Sequence, residues 1–262
     1  MKSLRYLFLD RPLRTLASPL GASRLLSAGV VAMVTLVASW APASNAATQT
    51  FVSDTTWAVA DAASNPLGLA QFICLSPGQP PSCPPGATFL TASGTGWAAN
   101  LSSIPGAHWI LAPGITGATP NASLARFSFT KTFTLVGTPV SGTISIAVDD
   151  FAQVFVNGNS AGTYGSITNV ATAFAAQNAL TTFNITPFLV SGTNTITVAY
   201  QNGPDSFAGV TNATYGQNTA GVVFGGTLID SAAIATPTLS QWMLVLLIGL
   251  LAFAGISQTR RR

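Results

Sequence analysis

The residues that could carry chemistry in this 262-residue chain are few. It has one histidine, His108, no glutamate and seven aspartates, of which only Asp149 and Asp150 are adjacent. If the strand that carries the pair continued, the side chains would point to opposite faces of a sheet, which does not suit the paired carboxylates of a glycosidase. We therefore expect the pair to stabilise a turn, with carboxylate oxygens that accept hydrogen bonds from backbone amides. A calcium site using one of the two with loop carbonyls, and catalysis, are the alternatives.

The single histidine precedes Trp109 in a segment with the alternation of a strand. We expect His108 to face solvent or to form a structural hydrogen bond. Participation in a Ser-His-Asp catalytic arrangement is the alternative.

Several aromatic residues could stack on a sugar. Aromatic side chains are also favoured in strands, however, and each buries a large area when it packs in a core. We expect most of them to pack in the core. Trp97, in the glycine-rich segment "SGTGWAAN", is the candidate for an exposed ligand contact. The residues concerned are Trp57, Trp97, Trp109, Tyr164, Tyr200 and Tyr215.

The charges are unevenly distributed along the chain. Five of the ten basic residues precede residue 47 and three form the C-terminus, which leaves Arg126 and Lys131 between them. Six aspartates share this central part, so its net charge is −4. A phosphate-neutralising surface is therefore absent from the sequence, and we expect no nucleic-acid partner.

Residues 1–46 have the layout of an export signal. A basic stretch is followed by the apolar run "AGVVAMVTLVASW" and by the small-residue site "APASNA", which ends at Ala46. The apolar run is too short to span a membrane comfortably, which favours a signal peptide cleaved after Ala46 over a permanent anchor.

The two cysteines, Cys74 and Cys83, lie in the proline-rich segment "CLSPGQPPSC". In an exported protein this pair predicts a disulfide that closes a local loop. A metal site would need further ligands that the sequence does not offer nearby.

The central part, 47–235, is rich in short alternating runs separated by Gly, Pro, Asn and Ser, and we identified no amphipathic helix in it. This pattern predicts an all-β, antiparallel β-sandwich of eight to ten strands. In "QVFVNGNSAGTYG", the pair Asn157-Gly158 follows an alternating run and predicts a hairpin with a type I′ turn. Other strands are expected in the ranges 49–54, 56–61, 107–112, 126–135, 181–186, 194–202 and 221–229.

The succession "HWILAP", "FSFTKTFTL", "ISIAVDDFAQVFVNG" and "FNITPFLVSGTNTITVAYQN" resembles the galactose-binding-like jelly-roll domains of carbohydrate-binding modules and glycosidases. The resemblance covers about residues 97–229 and implies a fold. A polysaccharide ligand would be an analogy at the level of that fold.

The C-terminal segment, 236–262, combines the motif "TPTLSQW", an apolar run and Arg260, Arg261 and Arg262. The run from about 239 to 257 predicts a transmembrane helix, with the arginines on the cytoplasmic side and the central part on the other side. A buried core helix is the alternative.

This segment is similar to the IPTL-CTERM sorting signals of Gram-negative bacteria. The residues that match the motif are Pro237, Thr238, Leu239 and Trp242. Thr236 stands where the family has Ile. The resemblance implies an exosortase-type enzyme as partner, an inner-membrane precursor, and delivery to the cell surface or extracellular matrix.

We therefore expect a non-enzymatic surface protein without a cofactor. A surface-presented carbohydrate-binding module and a hydrolase are the alternatives.

Overall fold

A computed structural model of the chain describes residues 46–75, 83–91, 97–121, 124–231 and 246–251. Within these ranges the chain forms thirteen strands. They are β1 (Ala47–Val52), β2 (Ala58–Asp61), β3 (Pro66–Leu69), β4 (Gln71–Cys74), β5 (Thr88–Phe89), β6 (Ile110–Leu111), β7 (Arg126–Leu135), β8 (Pro139–Asp149), β9 (Phe151–Val156), β10 (Asn159–Gly165), β11 (Thr181–Asn184), β12 (Gly192–Gln201) and β13 (Gly221–Asp230).

The strands form two sheets. The seven-stranded sheet has the order β11-β8-β13-β6-β4-β5, with β1 also paired to β13. The six-stranded sheet has the order β10-β9-β12-β7-β2-β3. All pairs are antiparallel except β4 with β5. The expected all-β class and antiparallel sandwich are confirmed.

The alternation of side chains places the core between the sheets. In β12 the even positions from 194 to 200 are buried, and in β9 the residues Ala152, Val154 and Val156 are buried. Trp57 and Phe224, which belong to opposite layers, meet edge to face with ring centroids 4.6 Å apart. Truncating a buried ring of this kind typically costs about 3 to 5 kcal/mol, so such contacts hold the layers together.

The predicted hairpin is present between β9 and β10. Asn157 and Gly158 have φ angles of 52° and 79°, the left-handed conformation that a type I′ turn requires. The Asn157 side chain also donates to the backbone oxygen of Phe188 at 2.9 Å and accepts from the backbone nitrogen of Thr195 at 2.8 Å. The turn is therefore tied to the strand beside it.

The expectation of a central part without helices is wrong. A helix, α1 (Val170–Asn178), follows β10 and begins at Asn169, whose side chain accepts from the backbone nitrogen of Thr172 at 3.0 Å. It buries Ala173 and Ala176. Small alanines can pack closely without producing a strong amphipathic pattern, which explains why the sequence does not reveal the helix.

The sandwich has two ends that differ in what they carry. We call the end with Ala47, the β7–β8 turn and Asp230 the terminal pole, and the end with Asp149, Gln201 and Gly221 the distal pole. At the terminal pole Ala47 pairs with Asp230, and the Asp230 carboxylate accepts from the backbone nitrogen of Gly137 at 2.9 Å. The ten residues of β13 run from one pole to the other, about 30 Å at 3.3 Å per residue.

The predicted disulfide is present between Cys74, at the end of β4, and Cys83, with Cα atoms 6.0 Å apart. The short parallel strand β5 pairs with β4 just beyond the bridged loop.

Of the C-terminal segment, residues 246–251 are helical, and their described side chains are exposed. Within the described ranges no helix is long and apolar enough to cross a membrane. The expected signal peptide up to residue 45, the sorting motif and the terminal arginines lie outside the described residues.

Candidate functional site

The adjacent aspartates lie at the distal pole, where the chain passes from one sheet to the other. β8 ends at Asp149 and β9 begins at Phe151, so Asp150 occupies the corner between them, and the two aspartates are joined by a cis peptide bond. Their side chains are 4% and 2% exposed. The opposite-face geometry would have required a strand that continued through the pair, and the condition is not met, because β8 ends at Asp149 and β9 begins at Phe151.

Donors from other parts of the chain hold both carboxyls. Asp149 Oδ2 accepts from Trp97 Nε1 at 2.8 Å and from the Thr219 hydroxyl at 2.9 Å. Asp150 Oδ2 accepts from the backbone nitrogen of Gly203 at 2.6 Å. The pair thus links the segments before β6 and β13 to the corner, rather than satisfying the amides of its own turn.

A buried amide network continues from the carboxyls. In the orientation that satisfies its neighbours, the Asn202 side chain donates to Asp150 Oδ2 and to the Thr219 backbone oxygen, both at 3.2 Å. Its oxygen accepts from Asn121 Nδ2 at 2.6 Å. Buried networks of this kind stabilise one arrangement of the surrounding loops when their members are satisfied.

The electrostatics of the pair favour a bound proton. Burial and the neighbouring Asp150 charge raise the pKa of Asp149 well above its usual range, and burial also raises the pKa of Asp150. Ionising both of two carboxyls at one buried site carries a large free-energy penalty. The arrangement therefore suits two acids that share a proton and are held in place by donors.

Calcium does not fit this arrangement. The named neighbours present an indole N–H, a hydroxyl and a backbone N–H to the carboxyls, whereas calcium requires six to eight oxygen ligands. In the described part of the chain, no three of the His, Cys, Asp and Glu side chains come together in a way that could hold a metal ion.

Trp97 is a core residue, and the expectation of an exposed ligand contact at this position is wrong. Its side chain is 3% exposed and stacks on Trp109 with ring centroids 4.2 Å apart. The glycine-rich segment before it suggested a loop, but the indole N–H finds its partner in the buried Asp149 carboxyl.

His108 is partly buried and contacts Phe72 with ring centroids 5.0 Å apart. Burial lowers its pKa. The Ser53 hydroxyl donates to the His108 backbone oxygen at 2.7 Å, so this serine is engaged with the backbone rather than with the imidazole. A G-x-S-x-G spacing occurs at Gly158–Gly162, but it lies in the β9–β10 hairpin rather than at a strand-to-helix turn, where such a motif positions a nucleophile.

A cleft of about 270 Å³ lies on the outer face of the six-stranded sheet, at the distal pole. We call it the outer-face cleft. Strand register explains its shape: Gln201 of β12 pairs with Arg126 of β7 on one side and with Phe151 of β9 on the other. The next outward row consists of Ser128, Ala199 and Gln153. The lining residues are Asp61, Ala62, Ser64, Arg126, Phe127, Ser128, Phe151, Gln153, Ala199, Tyr200 and Gln201.

Two residues of the outer-face cleft, Gln201 and Arg126, carry donors without partners in the described part of the chain. Gln201 is 7% exposed, and its Nε2 has no hydrogen-bond partner among the described residues. Arg126 is exposed, and the one ion pair found in the described ranges joins Lys131 and Asp54 instead. Gln153 donates to the Ser160 hydroxyl at 3.0 Å, which leaves its side-chain oxygen available as an acceptor.

The one acidic residue of the outer-face cleft is engaged in its own turn. The Asp61 carboxylate accepts from the backbone nitrogens of Ala63 and Asn65, at 2.9 and 2.8 Å, and from Asn65 Nδ2 at 2.9 Å. These bonds, led by the Asn65 side chain, lower the pKa of Asp61 and fix the β2–β3 turn as one wall of the cleft.

A second, largely apolar depression of about 460 Å³ adjoins the outer-face cleft. The two share Asp61, Arg126 and Phe127. Arg126 therefore stands at the boundary between a polar and an apolar surface.

None of the outer-face cleft was predicted from the sequence. The alternation of β7, β9 and β12 indicates which residues point outward, but the lateral alignment that brings Arg126, Gln201 and Phe151 together depends on long-range strand register. The sequence did contain one indication of a site at Arg126, because this residue is one of only two basic residues between residue 47 and the C-terminal arginines.

No protein-family model and no curated protein matches this sequence. Solved structures with partial similarity include the Streptomyces avermitilis alpha-L-rhamnosidase complexed with L-rhamnose (20% identity, TM-score 0.35), which matches 46% of this chain and 10% of its own. The FMN-binding beta-glucuronidase from Facaelibacterium prausnitzii L2-6 (17% identity, TM-score 0.32) matches 70% of this chain and 23% of its own. The Bacteroides uniformis beta-glucuronidase (15% identity, TM-score 0.32) matches 69% of this chain and 18% of its own. Similarities this partial identify neither a ligand nor an activity for this chain.

Proposed function

We propose that this chain is an exported, non-enzymatic protein of the cell surface or extracellular matrix, and that its C-terminal segment is a sorting signal. The support for the sorting signal is the tripartite C-terminal sequence, in which Pro237, Thr238, Leu239 and Trp242 precede an apolar run and three arginines. An exosortase-type enzyme recognises this signal in the membrane-inserted precursor and cuts near it, and the β-sandwich passes to the surface.

The observation that supports export most strongly is the Cys74–Cys83 disulfide. Disulfides persist in oxidising compartments outside the cytoplasm and are rare inside it. The bond therefore agrees with the export signal in residues 1–46.

The β-sandwich belongs, in this proposal, to the galactose-binding-like jelly-roll class. Consecutive strands from β7 to β9 and from β11 to β13 alternate between the two sheets, as a jelly roll requires. Both ends of the domain lie at the terminal pole, so the C-terminal segment leaves the β-sandwich from this pole.

The mass of the mature protein tests the sorting proposal. In cells with an active exosortase-type enzyme we expect a product that lacks residues 1–46 and the apolar run, and in cells without it we expect the tail to be retained. An intact tail under both conditions would overturn the proposal.

Carbohydrate binding is the second candidate function, and the outer-face cleft is the observation that favours it. Ligand sites typically combine apolar surface with a few convergent polar groups, as this cleft does with Phe151, Gln153, Gln201 and Arg126. Retention of the full-length protein on immobilised polysaccharide, reduced for the Gln153→Ala variant, would support this function. No retention on any polysaccharide would count against it.

A further inference from the structure

We propose that the outer-face cleft binds a uronic acid residue of an acidic polysaccharide, with the sugar carboxylate on Arg126. This inference deepens the carbohydrate-binding candidate and rests on it. It does not depend on the sorting signal.

The unpaired guanidinium group of Arg126 indicates the type of ligand. Arg126 is the only arginine in the described ranges, and it forms no ion pair there. A guanidinium group offers a planar pair of donors that matches a carboxylate in two parallel hydrogen bonds. The Asp61 carboxylate, which also lines the cleft, accepts from Ala63 and Asn65 in its own turn and forms no ion pair with Arg126 in the described part of the chain.

Gln201 provides the second, independent observation. Its side chain is more than nine-tenths buried, lines the cleft beside Arg126 and carries an Nε2 without a partner in the described part of the chain. A buried amide donor without a partner destabilises the folded state. Nε2 has almost no exposed surface, so a ligand oxygen reaches it through a small movement of the Gln201 side chain. The two adjacent donors together favour a ligand rich in acceptors.

The floor of the outer-face cleft suits the body of a sugar ring. Ser128 and Ala199 form the centre of the floor, and their small side chains allow a ligand to approach the sheet closely. Phe151 presents an apolar ring at one side, and the free oxygen of Gln153 accepts from a hydroxyl. Carboxylate, hydroxyl groups and an apolar C–H face occur together in a uronic acid residue.

A pair of matched ligands tests this inference. The full-length protein in detergent micelles is titrated calorimetrically with tetragalacturonate and with the same tetrasaccharide after reduction of its carboxyl groups to alcohols. We expect the reduced form to bind at least about tenfold more weakly, since hydrogen bonds to a charged group are stronger than those to a neutral group.

The Arg126→Gln variant should lose the preference for the acidic ligand, and Gln153→Ala, which changes a more exposed residue, should weaken both ligands. Lys131→Gln is the control, because it removes the same charge from a residue paired with Asp54 outside the outer-face cleft. It should bind both ligands like the natural protein.

Equal binding of the two ligands, or an unchanged preference in Arg126→Gln, would overturn the inference and leave the carbohydrate-binding candidate in place. Absence of binding to either ligand would overturn both. Neither outcome bears on the sorting proposal, which the mass of the mature protein tests separately.

Discussion

At the scale of single residues, the unusual feature is a pair of acids buried side by side at a sheet-to-sheet corner. Asp149 and Asp150 receive donors from Trp97, Thr219 and Gly203, which lie far apart along the chain. Such donors orient the carboxyls, but they do not neutralise two negative charges in a low-dielectric site. The corner is therefore at its most stable when at least one of the two carboxyls is protonated.

This arrangement predicts a dependence of stability on pH. The folded-state pKa of Asp149 is raised by burial and by the charge of Asp150, above an unfolded value of about 3.9. The native state then binds more protons than the unfolded state, so the stabilisation is fully present below about pH 4 and is lost as the pH rises through the folded pKa. Asp149→Asn should flatten this decline, so that the variant gains stability relative to the natural protein as the pH rises above about 4.

Urea unfolding of the natural protein and the variant at several pH values measures this effect. The difference between the two proteins is the relevant quantity, because the lowered pKa of His108 makes its own contribution in the opposite direction. Asp54→Asn, at a surface carboxylate, is the control. Parallel pH profiles for Asp149→Asn and the natural protein would show that the pair carries no shared proton.

At the scale of secondary structure elements, alternation in the sequence was informative where strands are long. β7 was predicted with its observed bounds because Phe127, Phe129 and Phe133 alternate with polar residues. The short strands β3, β4 and β5 lie in segments rich in Gly and Pro and were not predicted. The helix α1 was missed because its buried residues are two alanines and Gln177, and these give little contrast in hydrophobicity with its exposed face.

The β9–β10 turn allows a direct test of the predicted hairpin chemistry. Gly158 has a φ of 79°, and a Cβ there would meet no atom within 4 Å, so the effect of a substitution is conformational rather than steric. Gly158→Ala should lower the free energy of unfolding by about 1 to 2 kcal/mol, the usual cost of a left-handed conformation. Gly158→Asn should recover most of this loss, because asparagine tolerates that conformation. Equal stabilities of the glycine and alanine forms in urea would contradict this account of the turn.

The Cys74–Cys83 disulfide should stabilise the folded state chiefly because it restricts the conformations of the unfolded chain. Replacing Cys74 and Cys83 with serine should reduce the free energy of unfolding by about 2 to 3 kcal/mol. A reducing agent should produce a similar loss in the natural protein and no further loss in the double variant. If the reducing agent destabilised both proteins equally, its effect would not arise from this bond.

At the scale of the whole molecule, the two ends of the β-sandwich domain lie at one pole and its candidate binding cleft lies at the other. Ala47 and Asp230 meet at the terminal pole, whereas the buried acids and the outer-face cleft lie at the distal pole. The sequence indicated the tail, because a motif, an apolar run and a basic end are contiguous. It did not indicate the cleft, because Arg126 and Gln201 become neighbours only through strand pairing.

The central claim is that the β-sandwich reaches the cell surface while the C-terminal tail is removed. The direct measurement combines an antibody against the β-sandwich with an epitope tag placed after Arg262, and both are followed in intact cells and in membrane fractions. We expect the antibody to label intact cells and the mature, surface-exposed protein to carry no tag. Retention of antibody signal and tag together in the inner membrane, with no labelling of intact cells, would contradict it.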